Sequence, residues 1–240
     1  MPININKKNE LEILQECKKQ FCENTVVSLE QKRRCLEFAS RIYDENDNDA
    51  VHNPAAFGGE EKRAKNEIFV NTFQGKIAEY GFYNYFKHRV EIKEPDMDLW
   101  GKGEWEDTDF IVTYKDIDYR ISIKSTKSYG NLLLLESDRY DTEGRYLESV
   151  EGEEPKQHDW IFLVRVKGID SDNPTEYTDE ILENISVEIS GYIGKNIFRH
   201  AIKTKKILKK DTTIGNMPLK VDNYWFCLTE LLDPAAKHKS

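Results

Sequence analysis

The stretch from Asp109 to Thr126, DFIVTYKDIDYRISIKST, holds two runs rich in β-branched and aromatic residues, Phe110 to Tyr114 and Tyr119 to Ile123, with Lys-Asp-Ile-Asp between them. Such side chains suit a pleated, half-buried surface, so the stretch predicts a β-hairpin. Alternation sends Tyr119, Ile121 and Ile123 to one face and Arg120, Ser122 and Lys124 to the other, a polar face that would look into a cleft if Glu79 of the preceding helix packs beside it. Asp109 begins the first strand and Lys124 ends the second, so the turn-back brings these two charges side by side.

Upstream of the hairpin the periodicity is helical. Leu11, Leu14, Cys17 and Phe21 predict a helix from about Lys8 to Cys22. Ser28 stands three residues before Gln31 in the layout of a capping box, and Cys35, Leu36, Ala39, Ile42 and Tyr43 give the helix that follows its apolar face. The polar run from Asp44 to Asn53 reads as a loop. From Glu60 to Lys87 the recurrence of Phe69, Phe73, Ile77, Phe82 and Phe86 predicts a long third helix, which carries Glu79. Gly75 lies one turn before Glu79 on the same face, where close backbone approach would compensate its cost to the helix.

Downstream, strands are predicted at Trp160 to Val166, Ser186 to Ile193 and Tyr224 to Leu228, and Ser137 to Gln157 reads as a long loop. Helices first and a mixed sheet afterwards indicate an α/β (α+β) fold, a central mixed β-sheet flanked by helices. The expected organisation is a single domain over 1–240, with an N-terminal helical part at 1–58, a core at 60–168 and a C-terminal sheet and helix elaboration at 169–240.

At 240 residues with 38% hydrophobic side chains, the chain can bury a sizeable core. No apolar run approaches the roughly 20 residues that cross a bilayer, and the start lacks the layout of a signal peptide, so a cytoplasmic location is expected. Cys17, Cys22, Cys35 and Cys227 show no C-x-x-C spacing and read as buried free thiols, not as a disulfide or zinc framework. The five histidines are scattered. A net charge of −9 argues against a protein that coats nucleic acid non-specifically. Charge is nevertheless segregated, because Gly191 to Lys210 contains no acidic residue and carries Lys195, Arg199, Lys203, Lys205 and Lys206. That run reads either as a DNA-contacting surface or as a solvated amphipathic helix with Ile197, Phe198, Ala201 and Ile202 inward.

Two carboxylates and a lysine suit phosphodiester hydrolysis. A hard divalent cation takes oxygen ligands, activates water and offsets charge on the phosphate, while a lysine orients or deprotonates the water. The order G-x-x-x-E (Gly75 to Glu79), D-F-I-V (Asp109 to Val112) and I-S-I-K-S-T (Ile121 to Thr126) resembles the PD-(D/E)XK nuclease superfamily, and within it the type II restriction endonucleases. The likeness spans about residues 68–136. It implies a restriction endonuclease-like core, with Asp109 as a metal-binding aspartate, Lys124 as the family lysine and Glu79 as the helix glutamate of some members.

Two positions depart from the pattern: Thr108 stands where the family has proline, and Ser122 where it has an acid. A serine ligates magnesium poorly, so the second carboxylate must come from Glu79, from Glu136 at the end of LLLLE, or from Asp107, which points the same way as Asp109 in an extended chain. By resemblance the expected activity is a Mg²⁺-dependent endonuclease, with Mn²⁺ as a substitute, cutting double-stranded DNA as a homodimer. Lys127, just past the motif, joins the basic run as an expected DNA contact. Alternatives are a module of the same fold that binds DNA without cutting it, and a structure-specific or repair nuclease. Taken singly, Glu79, Asp109 and Lys124 are ordinary solvated charges, and their order and spacing give them weight together. Tyr129, Asn131 and Arg139 sit where a target-reading loop would be convenient, and Trp100, Trp105 and Tyr119 where bases could stack, although packing accounts for them more simply.

Overall fold

The computed structural model describes residues 17–45, 65–98, 108–147, 154–214 and 217–235. Helix α1 runs over Leu29–Glu45, and its start is the capping box read from the sequence. Ser28 N donates to Gln31 Oε1 at 3.0 Å and Gln31 N to Ser28 Oγ at 3.2 Å, so two otherwise orphaned amides are satisfied reciprocally. Helix α2 is Lys65–Phe86, with Phe69, Phe73, Ile77 and Phe82 buried as their spacing requires. Residues 17–22 are not helical, so the first predicted helix does not reach Cys22. Residues 8–16 lie outside the described residues, as do Asp107, Trp100 and Trp105.

The strands are β1 (Glu91–Ile92), β2 (Phe110–Tyr114), β3 (Ile117–Lys127), β4 (Leu132–Glu136) and β5 (Trp160–Lys167). After the short helix α3 (Asp179–Glu183) come β6 (Ser186–Gly194), helix α4 (Lys195–Lys203), β7 (Ile207–Leu208), β8 (Thr213–Ile214), β9 (Met217–Pro218) and β10 (Asn223–Cys227). The predicted hairpin is present, with a shorter turn than expected. Only Lys115 and Asp116 separate the strands, at φ 51° and 60°, the left-handed pair whose twist matches that of a two-residue hairpin.

The main sheet has the order β1-β2-β3-β5-β6, antiparallel except where β3 pairs in parallel with β5. The fold is thus α+β, a five-stranded mixed sheet flanked by helices. On one face α1 and α2 pack against Phe110, Val112, Ile121, Ile123, Phe162 and Val164. On the other, Ile161 and Leu163 meet Leu133 and Leu135 of β4, Phe198 of α4, and Tyr224 and Phe226 of β10. Strand β5 is therefore covered on both sides, which explains its apolar run from Trp160 to Val164. A second sheet of order β4-β10-β7 forms that outer layer. Both sheets draw strands from either side of residue 168, so the core and the C-terminal part read from the sequence form one packed unit. No helix among the described residues is long and apolar enough to cross a membrane.

Three expectations are corrected. Cys17 and Cys227 are joined as a disulfide with Cα atoms 4.8 Å apart, and Cys22 is exposed, leaving Cys35 as the buried free thiol. A cross-link over 210 positions leaves no local spacing to read. Close approach falls at Gly81, where a Cβ would lie 2.6 Å from Val187 Cγ1, whereas one at Gly75 would meet nothing within 4 Å among the described residues. Finally, α2 packs on the Ile121 and Ile123 face, so Glu79 does not sit beside the polar face of β3.

Residues 17–25 form a strap along the edge of β6. Arg165, 0% exposed, pairs with Glu188 at 2.5 Å and donates to the carbonyls of Lys19, Gln20 and Ser128. One buried guanidinium thus ties the strap to the β3–β4 turn, its many donors satisfied as burial demands.

Candidate functional site

Asp109 lies at the mouth of β2 with an exposed side chain. Its backbone N donates to Ile121 O at 3.1 Å, and its Oδ2 accepts from Ile123 N at 2.6 Å. The carboxylate therefore takes a place in the β2–β3 ladder that a main-chain carbonyl would otherwise fill. Thr108, buried, closes the same end by donating Oγ1 to Ile121 O at 2.9 Å. Thr108 is thus a ladder terminator. Because the amide held by Asp109 belongs to the residue before Lys124, the Asp109 carboxylate is fixed one residue from Lys124 along β3.

Ser122 is buried beside Ile161, and Lys124 is half-buried beside Leu163, both on the face of the second sheet. Lys124 makes no ion pair among the described residues. Ser125 points the other way and accepts from Gln74 Nε2 of α2 at 3.1 Å.

The two glutamates considered as the second carboxylate stand on opposite sides of the sheet. Glu79, its side chain 14% exposed, pairs with Lys76 at 2.8 Å. Burial pushes its carboxyl up to about 7, with Asp109 and Asp96 adding repulsion against the opposing pull of Lys76. An ion pair alone would lower a carboxylate, so desolvation wins here. For Lys76 burial pulls downward, and Glu79, Asp109 and Asp96 together outweigh it, leaving the ammonium above the ordinary lysine value. Glu79 and Lys76 thus both lie within electrostatic reach of Asp109.

On the opposite side Glu136 ends β4 and accepts through Oε2 from Arg139 Nε, while Arg139 Nη1 donates to Tyr146 Oη at 3.3 Å. Tyr140 packs edge-on against Phe198 at 4.8 Å between ring centroids. Burial first, then Tyr146 and Asp109, raise its hydroxyl pKa, against the influence of Arg139. Arg139 is buried and structural, as packing suggested; Tyr129 is 76% exposed.

The chain matches no protein-family model, no curated protein and no solved structure. The site therefore stands on its own geometry.

Among the described residues no three histidine, cysteine or acidic side chains group closely enough to cage a metal ion. Mg²⁺ needs less than a cage, since it keeps several waters and takes one or two carboxylates together with phosphate oxygens. Asp109 meets the carboxylate part of that demand, with an exposed side chain and one oxygen committed to a backbone amide.

Three of the seven cations in the basic run pair with acids that arrive from elsewhere in the chain. Lys195 pairs with Asp159 at 2.6 Å, Lys206 with Glu230 at 2.6 Å and Lys209 with Asp222 at 2.7 Å. Arg199 donates to Glu143 O and Gln157 Oε1. Lys203 and Lys205 are exposed and make no ion pair among the described residues, and Lys127 is half-buried at the end of β3. Helix α4 buries Phe198 and Ala201, while Ile197 is 37% exposed. Sequence reading passed over Lys76 and Arg139 as partners, although each stands three residues from its glutamate, the spacing of a helical ion pair. Tyr140 left no such signal.

Proposed function

We propose that the chain is a Mg²⁺-dependent endonuclease acting on double-stranded DNA, of the type II restriction kind, with Asp109 and Lys124 at its centre. The observation that carries this reading is the bond from Ile123 N to Asp109 Oδ2, which sets an exposed carboxylate beside the strand that presents Lys124. Asp109 would hold the cation, with the second carboxylate from Glu79 on the α2 side of the sheet or from Glu136 on the side that Lys124 faces, and Mn²⁺ would substitute. The bound metal supplies Lewis acidity and a nucleophilic water. Lys124 orients that water and offsets charge on the phosphate, while Lys203, Lys205 and Lys127 meet the DNA backbone. Cutting both strands of a duplex calls for two copies related by a twofold axis, hence a homodimer.

The cytoplasm is the compartment proposed. A disulfide is unusual there, and its cysteines are 0% and 3% exposed. Plasmid cleavage with Mg²⁺ tests the activity, comparing the wild type with Asp109→Ala and Lys124→Ala. Both variants cutting as fast as the wild type would refute the site.

A second reading, a DNA-binding module without catalysis, draws on the cation already paired with each spare glutamate: Lys76 with Glu79 and Arg139 with Glu136. Retained duplex binding with no measurable Mg²⁺ or Mn²⁺ affinity selects it.

A further inference from the structure

Tyr129, in the turn between β3 and β4, is 76% exposed. Among the described residues its hydroxyl makes no hydrogen bond and its ring meets no other ring. The turn that presents this bare side chain is braced from every side. Gly130 N donates to Lys127 O at 2.8 Å and Asn131 Nδ2 to Tyr129 O at 2.8 Å, closing the turn on itself. A Cβ at Gly130 would collide with Thr126 Oγ1, so the turn folds directly onto the strand that leads into it. From beyond β10, Leu228 N donates to Asn131 O at 3.0 Å, one residue past the disulfide-bonded Cys227. From the strap, Lys19 N donates to Asn131 Oδ1 at 3.3 Å. Arg165 Nη1 then spans the two segments, 2.8 Å from Lys19 O and 3.2 Å from Ser128 O. A buried ion pair such as Arg165 with Glu188 adds little net stability over apolar side chains. Here it fixes the strap against the turn.

Four lysines surround Tyr129. Lys18 and Lys19 are exposed on the strap, Lys127 is half-buried at the end of β3, and Lys167 is exposed at the end of β5, where its neighbour Val166 pairs with Lys127. None of the four makes an ion pair among the described residues, in a chain with 44 acidic side chains against 35 basic ones. Thr126 shares a face of β3 with Lys124 and stands in register with Arg165, so the strap crosses on the Lys124 side of the sheet. Lys127 follows Lys124 by three residues, about 10 Å along the strand.

We infer that the β3–β4 turn and the strap form a nucleic-acid contact, in which the Tyr129 ring stacks on a base and Lys19, Lys127 and Lys167 hold the flanking phosphates. The inference rests on the nuclease reading above. Unpaired cations suit any polyanion, but a bare ring set among them suits one whose charges alternate with flat π faces, which nucleic acid offers and an acidic protein surface does not. A DNA strand advances about 3.4 Å per nucleotide, which places the stacked base about three nucleotides from the phosphate at Lys124. The braced turn holds the tyrosine ready, so little ordering cost opposes the contact.

Binding of the full chain is measured by fluorescence anisotropy without metal, over a series of salt concentrations, on a labelled duplex of random sequence and on its separated strand. Tyr129→Ser is expected to bind the single strand at least about fivefold more weakly, the lower end of what one stacked base contributes. The loss on the duplex is in the same direction and smaller, because unstacking a base step offsets part of the gain. Tyr129→Phe should match the wild type, since stacking needs the ring and not the hydroxyl. Lys19→Gln and Lys127→Gln should each reduce the slope of log affinity against log salt by about one, and Tyr129→Ser should leave it unchanged. Unchanged melting temperatures separate a lost contact from a lost fold. Wild-type affinity of Tyr129→Ser for the single strand, or Tyr129→Phe weakened as much as Tyr129→Ser, overturns the stacking role; Mg²⁺-dependent cleavage that Asp109→Ala abolishes then leaves the nuclease reading standing. Weakened binding by Tyr129→Ser beside undiminished cleavage by Asp109→Ala keeps this contact and overturns the role of Asp109. A wild type that binds neither probe overturns both.

Discussion

Replacing Asp109 by asparagine separates the two tasks assigned to this side chain. The asparagine carbonyl can still accept from Ile123 N, where the aspartate does so at 2.6 Å, so a charge-assisted bond becomes a neutral one. At an exposed position that exchange costs about 1 kcal/mol or less. Asp109→Ala removes the acceptor altogether and costs about 1–3 kcal/mol, the range for an amide left without its partner. The chemistry sorts differently, because both substitutions delete the negative charge. Loss of several kcal/mol of Lewis-acid stabilisation corresponds to roughly 10²–10⁴-fold in cleavage rate, and both variants should fall alike. The assays are denaturant unfolding and Mg²⁺-dependent plasmid cleavage on the same preparations. Asparagine is expected to sit between wild type and alanine in stability and level with alanine in cleavage. In the same variant Glu79 loses a repelling neighbour, so its carboxyl should titrate below the wild-type value of about 7, read from the side-chain carbon shift. Wild-type cleavage by Asp109→Asn would refute the metal role, and wild-type stability of Asp109→Ala the ladder role.

Other expectations follow from single contacts. Gly81→Ala forces a Cβ to within 2.6 Å of Val187 Cγ1 and should cost about 1–3 kcal/mol in denaturant unfolding. Gly75→Ala meets nothing among the described residues and should gain up to about 1 kcal/mol of helix stability. Arg165→Met strands Glu188 in the interior and should cost about 3–5 kcal/mol, much of it recovered when Glu188→Leu is added. Glu79 titrates at about 7 in the fold against 4.5 as the ordinary value. Its raised value means that its stabilising contribution is complete below pH 4.5 and is lost as pH rises through 7. Relative to Glu79→Gln, the wild type should therefore lose up to about 3 kcal/mol between pH 4.5 and pH 8. A pH-independent difference between the two proteins would contradict the burial of that carboxyl.

Local chemistry was legible in the sequence, and long-range chemistry was not. The hairpin, the capping box at Ser28 and the buried stripe of α2 depend on neighbours in the chain, and all are present. The pairing of Asp109 with the β3 strand was legible too, because a short turn leaves little choice of register. Which face α2 would cover was not, since alternation defines two faces without saying which one a distant helix takes. The basic run looked unopposed because its acids, Asp159, Asp222 and Glu230, lie outside it. Gly75 and Gly81 carry the same propensity cost, and only the position of Val187 tells them apart.

The bond between Cys17 and Cys227 has a consequence for how this chain can be cut. With 210 positions between its ends, it makes nearly all of the described sequence one covalent ring. A protease that nicks a surface loop inside the ring opens it without liberating a fragment. The nicked molecule keeps its mass under non-reducing conditions and separates into two pieces only when a thiol reductant is added. The same closure constrains the unfolded chain, a restriction that loop-entropy arithmetic places at about 5 kcal/mol. A broken backbone and a released fragment are therefore separate events in this protein.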